Sequence, residues 1–81
     1  AHTLGNPYRA DVLSQFCSQE GIYLVEDCCD ALGATVGSQA VGSFGEFATC
    51  SFYPAHHITM GEGGAVIPKD GRLKKIAESI R

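Results

Sequence analysis

The chain has 81 residues, a formal net charge of −3 at pH 7 and a hydrophobic content of 44%. No apolar run approaches the ~20 residues that cross a bilayer, and the few basic residues fall mainly near the C-terminal end, so neither a membrane protein nor a nucleic-acid-binding surface is expected. The sequence does not open with a basic and then apolar export signal, which predicts a cytoplasmic location.

The four cysteines do not form the pattern of a disulfide framework. Cys28 and Cys29 are adjacent, and no export signal points to an oxidising compartment. Free cysteine is among the residue types that are most often buried. We therefore predict buried free thiols at Cys17 and Cys50.

The first part of the chain has the pattern of a turn, a helix and a strand. Pro7 keeps the residue before it out of helical geometry, so residues 1–7 are expected to form the tail of a strand and a turn. Apolar residues at helical spacing predict a helix over 10–19, which Gly21 ends. The continuous apolar run 22–25 predicts a strand that is buried on both faces of a sheet.

The second part of the chain predicts two more strands and a second helix. Residues 31–44 are rich in glycine and are expected to form a short helical turn followed by a loop or a small hairpin. Strands are predicted over 47–52 and 65–67, and Asp70 is predicted to cap a helix over 71–81. Helices that alternate with strands predict an α/β fold, here with one mixed sheet and no internal domain boundary.

The stretch 51–64, SFYPAHHITMGEGG, contains the most informative motif of the sequence. It resembles the S-F-x-x-x-K-x-x-x-x-x-E-G-G segment of the sugar aminotransferases, fold-type I enzymes that depend on pyridoxal 5'-phosphate (PLP) and bond it to the lysine. His56 stands at the position of that lysine. A histidine there is typical of the branch of dehydrases that remove the 3-hydroxyl from nucleotide-linked 4-keto-6-deoxyhexoses.

The resemblance implies both a fold and a place within a larger protein. It implies the three-layer, mixed-sheet large domain of fold-type I transferases, which binds the cofactor. The chain opens without methionine and closes inside a predicted helix, so we expect residues 1–81 to be a central piece of a longer enzyme.

The resemblance also assigns roles at the carboxyl ends of the strands, where open α/β sheets bind ligands. Asp27 would keep the pyridine nitrogen of the cofactor protonated, Ser51 would share in holding its phosphate, and His56 would move a proton. Asp30 and Tyr53 replace residues that are common in the aminotransferases, and both would lie beside the cofactor ring. From the sequence alone, Asp27 is equally well explained as a helix N-cap.

The histidine implies a different use of the cofactor. Imidazole is an acid and base near neutral pH but not an amine, so it cannot anchor the cofactor covalently. The resemblance therefore implies pyridoxamine 5'-phosphate (PMP) held by contacts alone. Its amine would condense with the 4-keto group of a nucleotide sugar, and dehydration would replace transamination.

Cys29 matches the position of a [2Fe-2S] ligand in the CDP-sugar members of the histidine branch, with Cys28 as an alternative one residue away. By this resemblance the enzyme would act on a CDP-4-keto-6-deoxyhexose in the biosynthesis of 3,6-dideoxyhexoses. An NADH-dependent iron–sulfur flavin reductase would supply electrons, and the enzyme would be a homodimer. The other ligands of a four-thiolate cluster are expected beyond Arg81.

Three other interpretations stay open. The first is a related enzyme of another reaction, either a cluster-free GDP-sugar 3-dehydratase or an aminotransferase that has lost its lysine. The second is a non-enzymatic metal-binding module, which the spacing of Cys28, Cys29, His56 and His57 disfavours. The third is that this piece has no activity by itself.

Overall fold

The computed structural model describes all residues from 1 to 81. Its helices and strands from residue 10 onward follow one another in the predicted order, with a small hairpin in the glycine-rich part. The strand tail predicted within residues 1–7 is wrong, because these residues form only an isolated bridge and a turn. The elements are α1 (Ala10–Glu20), β1 (Val25–Asp27), β2 (Thr35–Val36), β3 (Gln39–Ala40), β4 (Phe47–Ser51), β5 (Gly64–Pro68) and α2 (Gly71–Ile80).

The main sheet is mixed and has the strand order β1-β4-β5. β1 pairs in parallel with β4, so that Asp27 lies opposite Thr49. β4 pairs antiparallel with β5, so that Ser51 lies opposite Gly64. The prediction that the three strands belong to one mixed sheet is confirmed. Because β1 and β4 are parallel, both end at the same edge of the sheet, which is where ligands of such sheets bind.

The first residues of the chain run beside the end of β1. The backbone N–H of His2 donates to the Asp27 carbonyl at 2.9 Å, and that of Gly5 donates to the Asp30 carbonyl at 2.7 Å. A tight turn between Thr3 and Asn6 joins these two contacts. This segment therefore holds the backbone on both sides of the turn that follows β1.

α1 ends where Gly21 was predicted to end it. Gly21 adopts the left-handed conformation, with φ of 67°, and its N–H caps the Cys17 carbonyl. Within the predicted apolar face, Cys17 is buried but Phe16 remains 52% exposed. The Ser14 hydroxyl donates to the Phe44 carbonyl at 2.8 Å, so the helix contacts the loop before β4.

α2 begins at the predicted cap, because the Asp70 carboxylate accepts the Leu73 N–H at 2.9 Å. The helix packs against β5 and buries Leu73. The other large apolar residues of its predicted face, Ile76 and Ile80, remain exposed. Both α1 and α2 fall short of the length and apolar content that a membrane-crossing helix requires.

The prediction of a doubly buried strand over 22–25 is wrong in this chain. The strand begins at Val25, and Ile22, Tyr23 and Val25 are 52%, 74% and 56% exposed. Burial on both faces needs a packing layer on each side of the strand, and the described residues cover only Leu24. The Leu24 N–H donates to the Glu46 carboxylate at 2.7 Å, and its carbonyl accepts the Glu46 N–H at 2.9 Å.

The buried core is small and contains two thiols. Cys28, Ala48 and Cys50 form its centre, with Phe52 and other partly buried residues packed around them. All four cysteines are free, and the predicted burial of Cys17 and Cys50 is confirmed.

Gly45→Ala should destabilise the full-length protein, because an added Cβ would collide with the backbone carbonyl of Leu24. Backbone cannot move aside as a flexible side chain can, so we expect a loss of about 1–3 kcal/mol in the free energy of unfolding, measured by denaturant titration. Gly71→Ala is the matched control, because a Cβ there meets no atom within 4 Å. Equal stability of the two variants would show that the backbone at Gly45 is not in close contact with Leu24.

Candidate functional site

The candidate site residues form one connected group at the sheet edge where β1 and β4 end. A series of hydrogen bonds links all of them and returns to its starting strand. The group consists of Asp27, Cys29, Asp30, Ser51, Tyr53 and His56.

One half of the series joins the end of β1 to the end of β4. The Asp27 carboxylate accepts the Cys29 N–H at 3.1 Å, and the Cys29 sulfur accepts the Ser51 N–H at 3.1 Å. The bond within residues 27–29 is an Asx-type turn, and no helix follows it, so the N-cap alternative for Asp27 is not adopted. The turn instead places the Asp27 side chain at the exposed edge of the sheet.

The other half returns from β4 to the turn after β1. The Ser51 hydroxyl oxygen accepts the Tyr53 N–H at 3.3 Å, and the Tyr53 carbonyl accepts the His56 N–H at 2.9 Å. His56 Nδ1 then lies 2.9 Å from an Asp30 carboxylate oxygen, with 24% of the His56 side chain and 41% of the Asp30 side chain exposed. The imidazole is therefore held in place while part of it stays accessible.

The Asp27 carboxylate has the protonation state that its predicted role needs. The neighbouring Cys29, through its thiol and then its backbone N–H, holds the pKa of Asp27 below its ordinary value. An ionised carboxylate with free acceptor capacity fits a protonated pyridine nitrogen, which is the group that a PLP-type cofactor offers.

The two adjacent cysteines differ in accessibility and acidity. Cys28 is 1% exposed, and burial raises the pKa of its thiol to about 11. Cys29 is half-buried, and the neighbouring Asp27 carboxylate is the main cause that raises the pKa of its thiol. Of the two, Cys29 is the thiol that an external group can reach. This supports the register in which Cys29, and not Cys28, is the candidate cluster ligand.

The structure does not bring together the cysteines and histidines of the metal-module interpretation. The ligand atoms that do meet, all within 4.8 Å, belong to His2, Glu26 and Cys28. Sequence reasoning missed His2 and Glu26, and both are fully buried. The sequence feature that could have identified Glu26 is its position next to Asp27 in a strand. Adjacent residues of a strand face opposite sides of the sheet, so one of the two carboxylates must point inward.

That Asp27, Ser51 and His56 share a concave site stays a prediction. They do converge on one edge, but the surface depressions lie elsewhere. One lies between β5 and α2, and the other lies beside Tyr23 and the buried face of α2. The described residues thus build one wall of a site and not an enclosed pocket.

Comparison with known proteins identifies the family. The sequence pattern of the DegT/DnrJ/EryC1/StrS aminotransferase family matches residues 1–81. The chain belongs to this family.

Similar proteins include sugar-modifying enzymes of known name. The chain is 58% identical over 81 residues to the lipopolysaccharide biosynthesis protein RfbH of Salmonella typhimurium, covering 100% of this chain and 18% of that protein. It is 51% identical over 81 residues to the dTDP-4-dehydro-2,6-dideoxy-D-glucose 3-dehydratase of Saccharopolyspora spinosa, again with coverage of 100% and 18%. Among solved structures, Escherichia coli GDP-4-keto-6-deoxy-D-mannose-3-dehydratase with bound hydrated PLP matches with a TM-score of 0.86 and 35% identity, covering 99% of this chain and 21% of that one.

These matches confirm the fold and leave the reaction open. The chain has the fold of part of the large domain of fold-type I PLP-dependent enzymes, and it spans about a fifth of the length of those relatives. Most of each relative therefore has no counterpart in the described residues, which agrees with a site that has only one wall. Relatives of other reactions also match, such as a GDP-perosamine synthase of Vibrio cholerae that is 41% identical over 66 residues.

Proposed function

We propose that the full-length protein is a PMP-dependent enzyme that removes the 3-hydroxyl of a nucleotide-linked 4-keto-6-deoxyhexose, in the biosynthesis of a dideoxyhexose of lipopolysaccharide. The observation that carries the proposal is the imidazole of His56, paired with Asp30 at the end of β4. By resemblance, transaminating members of the family have a lysine there. The lysines of this chain lie at Lys69, Lys74 and Lys75, beyond the opposite end of β5.

Three side chains suit the cofactor. When bound, PMP supplies an amine that condenses with the 4-keto group and a conjugated ring that accepts electrons. Asp27, ionised at neutral pH, would hold a proton on the ring nitrogen. The Ser51 oxygen accepts the Tyr53 N–H, which leaves its own O–H free to donate to a phosphate oxygen. Tyr53 is 52% exposed beside them, in a position to contact the ring.

His56 and Asp30 form a proton-transfer pair. An ionised carboxylate only accepts hydrogen bonds, so the bond to Asp30 places the proton of a neutral imidazole on Nδ1. The lone pair is then on Nε2, which would take a proton from the cofactor methylene and give it to the departing hydroxyl. Asp30 would stabilise the positive imidazolium between these two events. Asp30 would thus act through His56, in addition to its predicted place beside the cofactor ring.

Cys29 supports a finer proposal about electron supply. A [2Fe-2S] cluster bound there would sit beside Asp27 and would supply single electrons for reduction of the dehydrated sugar. This chain offers one reachable thiol, since Cys17, Cys28 and Cys50 are buried, so the remaining ligands would come from other parts of the protein. The partner would be an NADH-dependent iron–sulfur flavin reductase, the substrate a CDP-sugar, and the enzyme a homodimer.

A cluster-free dehydratase is the second candidate. It is favoured by the match to the GDP-4-keto-6-deoxy-D-mannose 3-dehydratase of Escherichia coli, which is 36% identical over 78 residues. Both candidates would use the same Asp27 and His56, and they differ in the nucleotide of the substrate and in whether Cys29 binds iron for coupling to a reductase.

His56→Asn in the full-length protein should abolish dehydration of CDP-4-keto-6-deoxyglucose and leave PMP affinity within about twofold of the parent. Asparagine retains hydrogen-bonding groups but cannot take up a proton near neutral pH, so we expect a loss of about 10²–10⁴ in kcat. Turnover is measured by mass spectrometry of the sugar product, and affinity by cofactor absorbance.

Asp30→Asn is the companion variant and should lower kcat by about ten- to a thousandfold without changing PMP affinity, because an amide can favour the wrong imidazole tautomer. Borohydride treatment of the PLP-loaded parent should leave no reduced adduct in residues 51–64. An active His56→Asn enzyme, or a reduced lysine adduct, would refute the proposed function.

Cys29→Ser should remove iron and acid-labile sulfide from the full-length protein, whereas Cys28→Ser should retain both, because Cys28 is buried. The Cys29→Ser enzyme should lose reductase-coupled turnover but still dehydrate the sugar, since proton transfer by His56 needs no electrons. Iron analysis and paired assays with and without reductase measure this. A parent enzyme without iron would favour the cluster-free dehydratase.

A further inference from the structure

The carboxylate of Glu26 is the most heavily hydrogen-bonded side chain of this chain. It points into the interior, opposite to Asp27, and its side chain is 0% exposed. One oxygen accepts the Gly42 N–H at 2.8 Å and lies 3.0 Å from His2 Nε2. The other oxygen accepts the N–H groups of Phe44 and Gly45, each at 2.8 Å. All donors come from outside β1, so Glu26 ties three segments together.

The charge state of Glu26 follows from these contacts. Burial raises the pKa of its carboxyl group, but the bonds from Gly42, Gly45, His2 and Phe44 outweigh burial and hold the pKa below its ordinary value. Glu26 is therefore a buried anion. His2 stacks on Tyr8 with ring centroids 4.2 Å apart, which fixes the imidazole that donates to it.

This cluster is better explained as a hydrogen-bonding centre than as a metal site. His2, Glu26 and Cys28 are all buried, so an ion could reach them only if the core opened. The Glu26 oxygens already have protein donors, so a metal ion would have to displace several backbone hydrogen bonds. One atom of the cluster, His2 Nδ1, has no hydrogen-bond partner. When Nε2 donates to Glu26, Nδ1 carries a lone pair and no proton, and an unpaired acceptor costs less free energy than an unpaired N–H donor.

The same segments also hold the candidate cofactor site. The His2 backbone N–H donates to the carbonyl of Asp27 at 2.9 Å, and the His2 ring bonds Glu26. His2 therefore contacts the end of β1 through both its main chain and its side chain. The loop 42–45 leads directly into β4, which ends at Ser51. Any shift of Glu26 therefore moves the backbone of Asp27 relative to β4.

We propose that the buried His2–Glu26 pair is a positioning element for the cofactor site, which sets the direction of the Asp27 carboxylate by fixing the strand residue before it. The inference rests on the proposed role of Asp27 at the pyridine nitrogen. If the inference is correct, changes at Glu26 or His2 lower the affinity for the cofactor, whereas changes at a structural contact elsewhere in the sheet do not.

Glu26→Gln and Glu46→Gln in the full-length protein form a matched pair. Each replaces a glutamate whose carboxylate accepts backbone N–H groups across the contact between β1 and the loop before β4. Glu26 accepts from the loop 42–45, whereas Glu46 accepts from Leu24, at the end of β1 away from the site. Glutamine at position 26 has one acceptor oxygen and cannot satisfy all the donors. We expect Glu26→Gln to weaken PMP binding at least about tenfold, and Glu46→Gln to stay within about twofold of the parent, even at a similar loss in Tm.

His2→Ala and His2→Gln test the other member of the pair. Alanine removes the donor to Glu26, whereas glutamine retains an N–H that can reach it. His2→Ala should weaken PMP binding by about three- to tenfold, and His2→Gln should restore most of the affinity. These variants decide the question if Glu26→Gln does not fold.

Amide hydrogen exchange of the cofactor-free protein gives a readout independent of the reaction. Glu26→Gln should speed exchange at residues 42–45 and also at Cys28 and Cys29, whereas Glu46→Gln should act mainly at Leu24. Parent-like PMP affinity in a folded Glu26→Gln protein, or equal weakening by Glu46→Gln at the same Tm, would overturn the inference. A parent that binds PMP but does not dehydrate the sugar would refute the proposed reaction and leave this positioning role intact.

Discussion

The parallel pairing of β1 with β4 is the constraint on which the candidate site depends. Its register places Asp27 opposite Thr49, and the Cys28 N–H extends the ladder by donating to the Thr49 carbonyl at 2.9 Å. Both strands then end at one edge, and the segments that follow them lie side by side. Asp30 and His56 are 26 residues apart in the chain, and they meet because each follows one of these strands. An antiparallel pairing would have sent them to opposite edges.

The elements that could be predicted from the sequence are those with local causes. Gly21 ends α1 because a left-handed residue is easy only for glycine, and Asp70 begins α2 because its carboxylate caps a free N–H. Burial is not local in this way. The apolar run 22–25 indicated side chains that avoid water, but which layer covers them depends on packing partners. In this chain Leu24 bonds to Glu46, and its neighbours remain exposed.

In the candidate site, too, some residues could be predicted from the sequence, but the contacts between them could not. The resemblance to a known family, together with positions after strand ends, led to the prediction of Asp27, Ser51 and His56 as site residues. It could not show that Asp30 bonds the imidazole, since that contact exists only after the strands pair. His2 and Glu26 were missed because histidine and glutamate are usually accessible, so a buried pair of them has no pattern of its own in a single sequence.

Three carboxylates within five residues have been given three different environments. Glu26 is enclosed, and its oxygens are occupied by backbone and imidazole donors. Asp30 is paired with His56. Asp27 accepts the Cys29 N–H and is exposed, so its carboxylate retains acceptor capacity for an incoming group with a positive charge. Glu26 and Asp30 already have imidazole partners within the protein, whereas the negative charge of Asp27 has no such partner. A protonated pyridine nitrogen is a group of the right sign to neutralise it, which is why the proposed cofactor contact follows from the hydrogen bonding of all three residues together.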